Sequence, residues 1–319
     1  MEKITTYMLI DAGYLLEGEQ APTDIYEVDE SGKDVNFLFQ RYHVFNAIDM
    51  KRIAKARPLY VHKESKKAFD DYCIEHLEAL SKKNHFTFEV KSTLIFKKAE
   101  SIIESMFQDP HALGNVKKTQ NLVDNMVEMI MDEDFTIQSL MKIAAHDYYT
   151  HTHSINVSIY ALSLGRFMKL DPKTLKLLGE AAILHDVGKS KISKNIINKN
   201  GPLTAEEFAV MRKHPVYGYD IAVRLGVKEQ HILDGIRHHH EKLNGTGYPD
   251  KLKGERITLF ARIIGVCDIF DALTTKRSYK DPVSTFNTLK MMKEQMHAEI
   301  DMHILEQFIL MMGDKHPSM

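Results

Sequence analysis

Three short segments bring together side chains that ligate metals or move protons. In LHDVGK, residues 184–189, His185 and Asp186 are neighbours where a helix is expected to end. Backbone leaving helical geometry lets such a pair point at one spot, offering an imidazole nitrogen and a carboxylate able to bridge two ions. Gly188 is read there as the residue that lets the chain turn sharply. In HHEKLNGTGYP, residues 239–249, His239 and His240 precede a glutamate and a glycine-rich loop closing on Tyr248 and Pro249. Gly245 and Gly247 permit turns or close approach to a ligand, while Tyr248 offers a hydroxyl and a ring face. In GVCDIFDALTTKRSYK, residues 265–280, Asp268 and Asp271 are three apart on one helix and project from one face. Their neighbours Ile263, Ile264, Val266, Ile269, Phe270 and Leu273 make that pair expensive to bury without a cation or a donor. Arg277 and Lys280 follow, with charges suited to phosphate oxygens.

Histidines concentrate in the same region. Of 17, eight lie between His151 and His240, and His238, His239 and His240 are consecutive. A single histidine is most often a surface residue, so spacing has to separate ligands from bystanders. His153 in HTHSINV and His214 in MRKHPVYG join the candidate set; His146 and His151 match no pattern, and His238 reads as a solvated or packing residue.

The elements that position these residues are predominantly helical. Apolar spacing predicts helices over Tyr149–Met168, Pro172–Leu184, Val227–His239, Thr258–Thr274, Pro282–Ala298 and Met302–Met312. Thr204 and Glu207 form a capping box opening a helix that ends near His214. Leu122, Met126, Met129 and Ile130 make an apolar stripe, read as intramolecular core with a dimer face as the alternative. Residues 1–98 differ. Strand-like runs occur at Thr6–Ile10, Asp24–Val28, Asn36–Phe39 and Pro58–Val61, with a polar hairpin turn over 28–36. A helical rhythm covers Glu64–Ser81, and His85–Val90 alternates like a further strand. No receiver-type acidic cluster can be placed there, and Asp11 and Asp24 read as turn residues.

Composition bounds the rest. The 319 residues carry 42 Lys and Arg against 44 Asp and Glu, a balance that excludes a protein built mainly to coat nucleic acid or an anionic membrane. Apolar runs reach only about five residues, as at Phe308–Met312, so no membrane span is expected. The N-terminus lacks a signal-peptide pattern, and two cysteines, Cys73 and Cys267, make no disulfide framework. A cytoplasmic protein is the expectation.

In order and spacing, HDVGK, the HHE with its GTGYP loop, and DIFDALTTKRSYK resemble the HD-GYP domains, a subclass of the HD superfamily of metal-dependent phosphohydrolases. The resemblance covers roughly residues 140–312; Cys267 stands where alanine is usual and Ser278 where proline is usual. The strand signals that stop near residue 98 make the chain α+β overall, with a smaller mixed α/β regulatory or interaction domain over 1–98 and a helical linker over 99–139; the resemblance implies an all-α HD-GYP catalytic domain over 140–319. It also implies two divalent metal ions, iron or manganese with zinc as a further option. His153, His185, Asp186 and Asp268 would hold one; Asp186 would bridge to a second held by His214, His239 and His240. Lys189 would contact a substrate phosphate or assist proton transfer, and Arg277 and Lys280 would take phosphate or the guanine edge. Tyr248 would line the substrate groove, and Asp271 would support Arg277 or a ligand histidine.

The implied function is that of a bacterial signalling enzyme, a phosphodiesterase in which a water-derived hydroxide between the two metals opens cyclic di-GMP to linear pGpG, with GMP as a further product left open. From another class comes a catalytically weak receptor that binds the nucleotide and signals through a partner protein. A general mononucleotidase is disfavoured by the GTGYP loop. A homodimer or a signalling partner stays open. Some members of the family hold a third ion through a glutamate four residues before the first histidine; here that position is Tyr149, which implies two ions.

Overall fold

A computed structural model of the chain describes residues 4–29, 32–81, 88–112, 114–131, 135, 137, 150–275 and 282–313. The chain divides into two compact units, Met1–Ile95 and Phe96–Met319. The first holds a four-stranded antiparallel sheet of order β1-β4-β2-β3, from β1 (Tyr7–Ile10), β2 (Ile25–Val28), β3 (Val35–Phe39) and β4 (Leu59–His62). Hairpin pairing sets Val28 opposite Val35, so the polar run between them turns the chain as its composition predicts. Ile10, Ile25, Phe39, Leu59 and Val61 alternate onto the buried side.

Helices α1 (Ala47–Ile53), α2 (Lys66–Glu75) and α3 (Leu77–Ser81) accompany the sheet, α2 and α3 being separated at His76. The expected strand over His85–Val90 is not formed where the structure describes it. Phe88 to Val90 instead open α4 (Phe88–Gln108). Leu94, Ile95, Ala99, Ile102, Ile103 and Met106 are buried at helical spacing, and this long register overrides six residues of alternation.

The second unit is all-helical among its described residues. After α5 (Asn115–Ile130) come α6 (Thr150–Phe167) and α7 (Pro172–Leu184), followed by a short 3-10 turn, Val187–Lys191. Next are α8 (Lys194–Ile197), α9 (Ala205–Met211), α10 (His214–Arg224) and α11 (Gln230–His238). The chain ends with α12 (Leu259–Thr274), α13 (Thr285–Gln295) and α14 (Met302–Gly313). Helices α6, α7, α11 and α12 pack in a cycle, α7 against α6 and α11, and α12 against α6 and α11. The stripe Leu122, Met126, Met129 and Ile130 is buried, and α5 lies on α6 and α7, so this face is intramolecular core. Ile155, Leu162, Leu178, Ile236, Ile264 and Phe308 fill the interior of this unit. None of the described helices is long and apolar enough to cross a membrane.

Candidate metal centre

Five helices deliver the donors to one buried point. His153 projects from α6 and Asp268 from α12, with Nε2 and Oδ1 3.1 Å apart. His185 sits at the C-terminal end of α7, and Asp186, next in the chain, begins the 3-10 turn. His214 opens α10, while His239 and His240 follow α11. His153, His185, Asp186, His214 and His239 are all at most 2 % exposed. Three donor groups result: His153 with His185 and Asp268; His185 with Asp186 and His239; His214 with His239 and His240. Within each, the ligand atoms lie within 4.8 Å of one another.

Local backbone selects which ring nitrogen faces inward. The Nδ1 atoms of His185, His214 and His239 donate to the carbonyls of Ala182, Met211 and Ile236, each three residues earlier, at 2.7–2.8 Å. A neutral imidazole with its proton on Nδ1 leaves Nε2 as a bare acceptor. His153 follows the same logic through side chains. Its Nδ1 donates to Asp271 Oδ2 at 2.7 Å. Asn156 Nδ2 and Thr275 Oγ1 hold Asp271 Oδ1 at 3.0 and 3.1 Å. Asp271 therefore holds the His153 ring, where the resemblance implied support of Arg277 or of a ligand histidine.

Acceptors consequently face acceptors. His214 Nε2 lies 3.3 Å from His239 Nε2 and 3.2 Å from Asp186 Oδ1. Neither His185 Nε2 nor Asp186 Oδ1 has a hydrogen-bond partner, although both are buried. Burial pushes the pKa values of His185 and His239 below the ordinary imidazole range and that of His240 down to about 3. Burial alone would raise Asp186, but the Lys189 ammonium on its Oδ2, with the nearby imidazoles, holds it well below the usual carboxylate range. Burial would raise Asp268 too, but the imidazoles of His153 and His240 beside it hold it well below the usual carboxylate range. The Lys189 ammonium thus supplies positive charge directly beside Asp186. Buried carboxylates converging with bare nitrogens fit divalent cations, which satisfy every one of these atoms at once.

The GTGYP loop lies against this centre. Tyr248 stacks on His240, with centroids 4.8 Å apart. Glu241 fastens the loop by accepting from Asp250 N at 2.7 Å and Leu252 N at 3.0 Å. Asp250 also accepts twice from Arg237, at 2.7 and 3.0 Å, and lies 3.0 Å from His238 Nε2. His238 thus helps anchor the loop through Asp250. Gly245, at φ +80°, supplies a turn, whereas Gly247 is required by close approach. A Cβ there would stand 2.4 Å from Lys242 N and 2.6 Å from His240 O. Gly188 lies within the 3-10 turn, and its missing Cβ also lets α10 approach, since a Cβ would meet His214 O at 2.0 Å. Glu241 and Asn156 carry roles that spacing did not reveal. Arg277, Lys280 and Tyr149 lie outside the described residues.

With the centre assembled, comparison with known proteins decides the family. The model of a family described as HD domain matches residues 125–304, more than half of the chain. The chain belongs to the HD domain family. An HD domain implies divalent-metal binding, and the chain gathers histidine and aspartate clusters that could hold such ions. A cyclic di-GMP phosphodiesterase of Pseudomonas aeruginosa is 32% identical to this HD domain chain over 225 residues, covering 70% of this chain and 54% of the relative. A 3'3'-cGAMP-specific phosphodiesterase of Vibrio cholerae is 32% identical, covering 64% and 46%. A cyclic di-GMP phosphodiesterase response regulator of Xanthomonas campestris is 36% identical over 166 residues, covering 51% and 43%. The chain spans about half the length of these curated relatives. Among solved structures, an HDG"Y"P protein from Bdellovibrio bacteriovorus shares the fold, with TM-score 0.67 and 19% identity over 97% of this chain and 100% of that one.

Proposed function

We propose that this HD domain protein is a metal-dependent phosphodiesterase that opens cyclic di-GMP to the linear dinucleotide pGpG. One observation carries the reading: the buried carboxylate of Asp186 lies between His153 and His185 on one side and His214 on the other, at 3.2–3.6 Å. That placement supports a bridging role between two ions, one with His153, His185 and Asp268, the other with His214, His239 and His240. Iron or manganese suits this thiolate-free donor set, with zinc as a further choice. When bound, two such ions supply Lewis acidity and bring the pKa of water close to neutrality. The relatives, by name phosphodiesterases of cyclic di-GMP and 3'3'-cGAMP, support a cyclic dinucleotide as substrate.

The chain's own residues then bind and orient. Lys189, whose ammonium pairs with Asp186, is assigned to a substrate phosphate oxygen or to proton transfer. Arg277 and Lys280 are assigned to phosphate or the guanine edge, and Tyr248 to the wall of the groove. Asp271 keeps the His153 ring in place. Residues 1–98 are assigned as a regulatory or interaction domain; a groove of about 420 Å³ lined by Glu19, Arg41, Tyr42, Asp71 and His76 supports such a role. A cytoplasmic location and a homodimeric or partner-bound state belong to the same proposal. The test is hydrolysis of cyclic di-GMP by protein purified without air, with metal content measured on the same sample. Metal-dependent release of pGpG is expected. Tight binding without turnover would assign the chain to the receptor class instead.

A further inference from the structure

The ring of Tyr248 connects the donor cluster to the molecular surface. One side of it lies over His240, the two planes being 32° apart. The Arg212 guanidinium carbon lies 4.8 Å from the centroid of the Tyr248 ring, and Phe208 meets that ring edge-on at 6.4 Å and 82°. Arg212 is also 6.0 Å from the Phe208 ring. His240, Tyr248, Arg212 and Phe208 therefore form a continuous line of π faces and one cation, leading outward from the buried ligands.

Phe208 ends that line and is 47% exposed. Its helix α9 is not a frayed segment. Thr204 and Glu207 cap it reciprocally, with Thr204 N donating to Glu207 Oε2 at 2.7 Å and Glu207 N to Thr204 Oγ1 at 3.2 Å. Lys199, just beyond α8, pairs with the same carboxylate. A large apolar ring is thus held in water by local structure, against the hydrophobic effect. Rings so placed beside phosphate-binding sites are platforms for nucleobases, since every base has a π face, and a neighbouring guanidinium adds a cation to the stack.

We propose that Phe208 and Arg212 form a base-binding wall of the substrate site, on which one nucleobase of a cyclic dinucleotide stacks while its phosphodiester lies at the metal centre. The inference rests on the cyclic-dinucleotide reading above and adds residues to it. Stacking tolerates any base, so this wall sets affinity and leaves the choice between guanine and adenine to other contacts. Phe208 is a binding residue; Arg212, which touches both rings, fixes their angle.

The chain contains no tryptophan, so Phe208→Trp places a single indole reporter at the wall. Wild-type protein with its resident metal, Phe208→Leu and Phe208→Trp are titrated with cyclic di-GMP, by calorimetry for all three and by indole fluorescence for the last. Phe208→Leu is expected to weaken binding about ten-fold, Phe208→Trp to stay within about three-fold of wild type, and the indole to be quenched at saturation. In turnover, Phe208→Leu should lose about ten-fold more kcat/KM on the dinucleotide than on bis(p-nitrophenyl) phosphate, which has no nucleobase. Equal affinity of Phe208→Leu and wild type, an unquenched indole, or equal losses on both substrates would overturn the proposal. A wild-type protein that binds the dinucleotide without cutting it removes the phosphodiesterase reading and leaves the wall intact. One that binds no cyclic dinucleotide removes both.

Discussion

His214 and His239 present their Nε2 atoms to each other at 3.3 Å, although each ring has already given its Nδ1 proton to a backbone carbonyl. Two bare lone pairs at that distance repel unless a cation sits between them. Metal removal by a chelator is therefore expected to lower Tm. At free cation about 1,000 times above Kd, binding stabilises by about 4 kcal/mol. Calorimetry before and after chelation, with re-addition of manganese, checks this; an unchanged Tm would remove the cation from the centre.

Asp186→Ala should abolish turnover and most bound metal, because a single carboxylate faces both groups of donors. Elemental analysis alongside the hydrolysis assay reads both effects. Full activity with normal metal content would refute the bridging role.

Asp271 holds His153 through Nδ1 without facing the cluster itself, and Asn156 and Thr275 hold Asp271. Asp271→Asn keeps the shape but weakens that grip. Losses at carboxylates behind metal-bound histidines typically reach about 10–100-fold in metal affinity or activity. A metal titration of the variant with unchanged affinity would show that the carboxylate serves packing alone.

Glu180 is buried on α7, 3.3 Å from Gln120 Nε2, and burial raises its pKa, with Asp124 and Glu229 adding to the rise. An acid raised in the folded state binds its proton more tightly there than in the unfolded chain. Its contribution is thus fully present below the unfolded value and lost as pH rises through the folded one. Glu180→Gln should raise Tm at neutral pH and flatten the fall in stability above the ordinary glutamate range. Denaturant melts across pH 4–8 measure it, and parallel curves for the two proteins would contradict the assignment.

Gly188→Ala places a methyl group 2.0 Å from His214 O and 2.4 Å from Gly218 N, both backbone atoms. Backbone cannot swing aside as a side chain does, so a penalty of about 3 kcal/mol or more is expected, with loss of bound metal. A variant that keeps wild-type Tm and metal content would show that α10 accommodates the methyl.

Much of the centre was legible because its ligands sit where local pattern marks an element's end. His185 follows the apolar run Ala181–Leu184, and His239 follows the helical pattern closing with Ile236. The Thr204–Glu207 capping box was readable for the same reason, since both partners lie within one turn. Asn156 was not, because the carboxylate that gives it meaning is 115 residues away. Glu241 escaped notice since its partners are backbone amides, which leave no trace in side-chain identity. The misread strand at His85–Val90 shows the opposite limit: six alternating residues suit either period, and the fourteen or more helical positions beyond Val90 decide between them.

The short bonds from His185 and His239 to the carbonyls of Ala182 and Ile236 also fix how charge approaches the centre. Both rings close the C-terminal ends of their helices, α7 and α11, and His214 stands three residues beyond Met211, where α9 ends. Each such terminus carries a partial negative charge of about half an electron from its aligned peptide dipoles. The two that end at His185 and His239 converge with the aspartates, so negative charge gathers at the centre and attracts cations. Divalent cations held there would offset that charge, and the anionic substrate proposed above would be favoured only once they are bound.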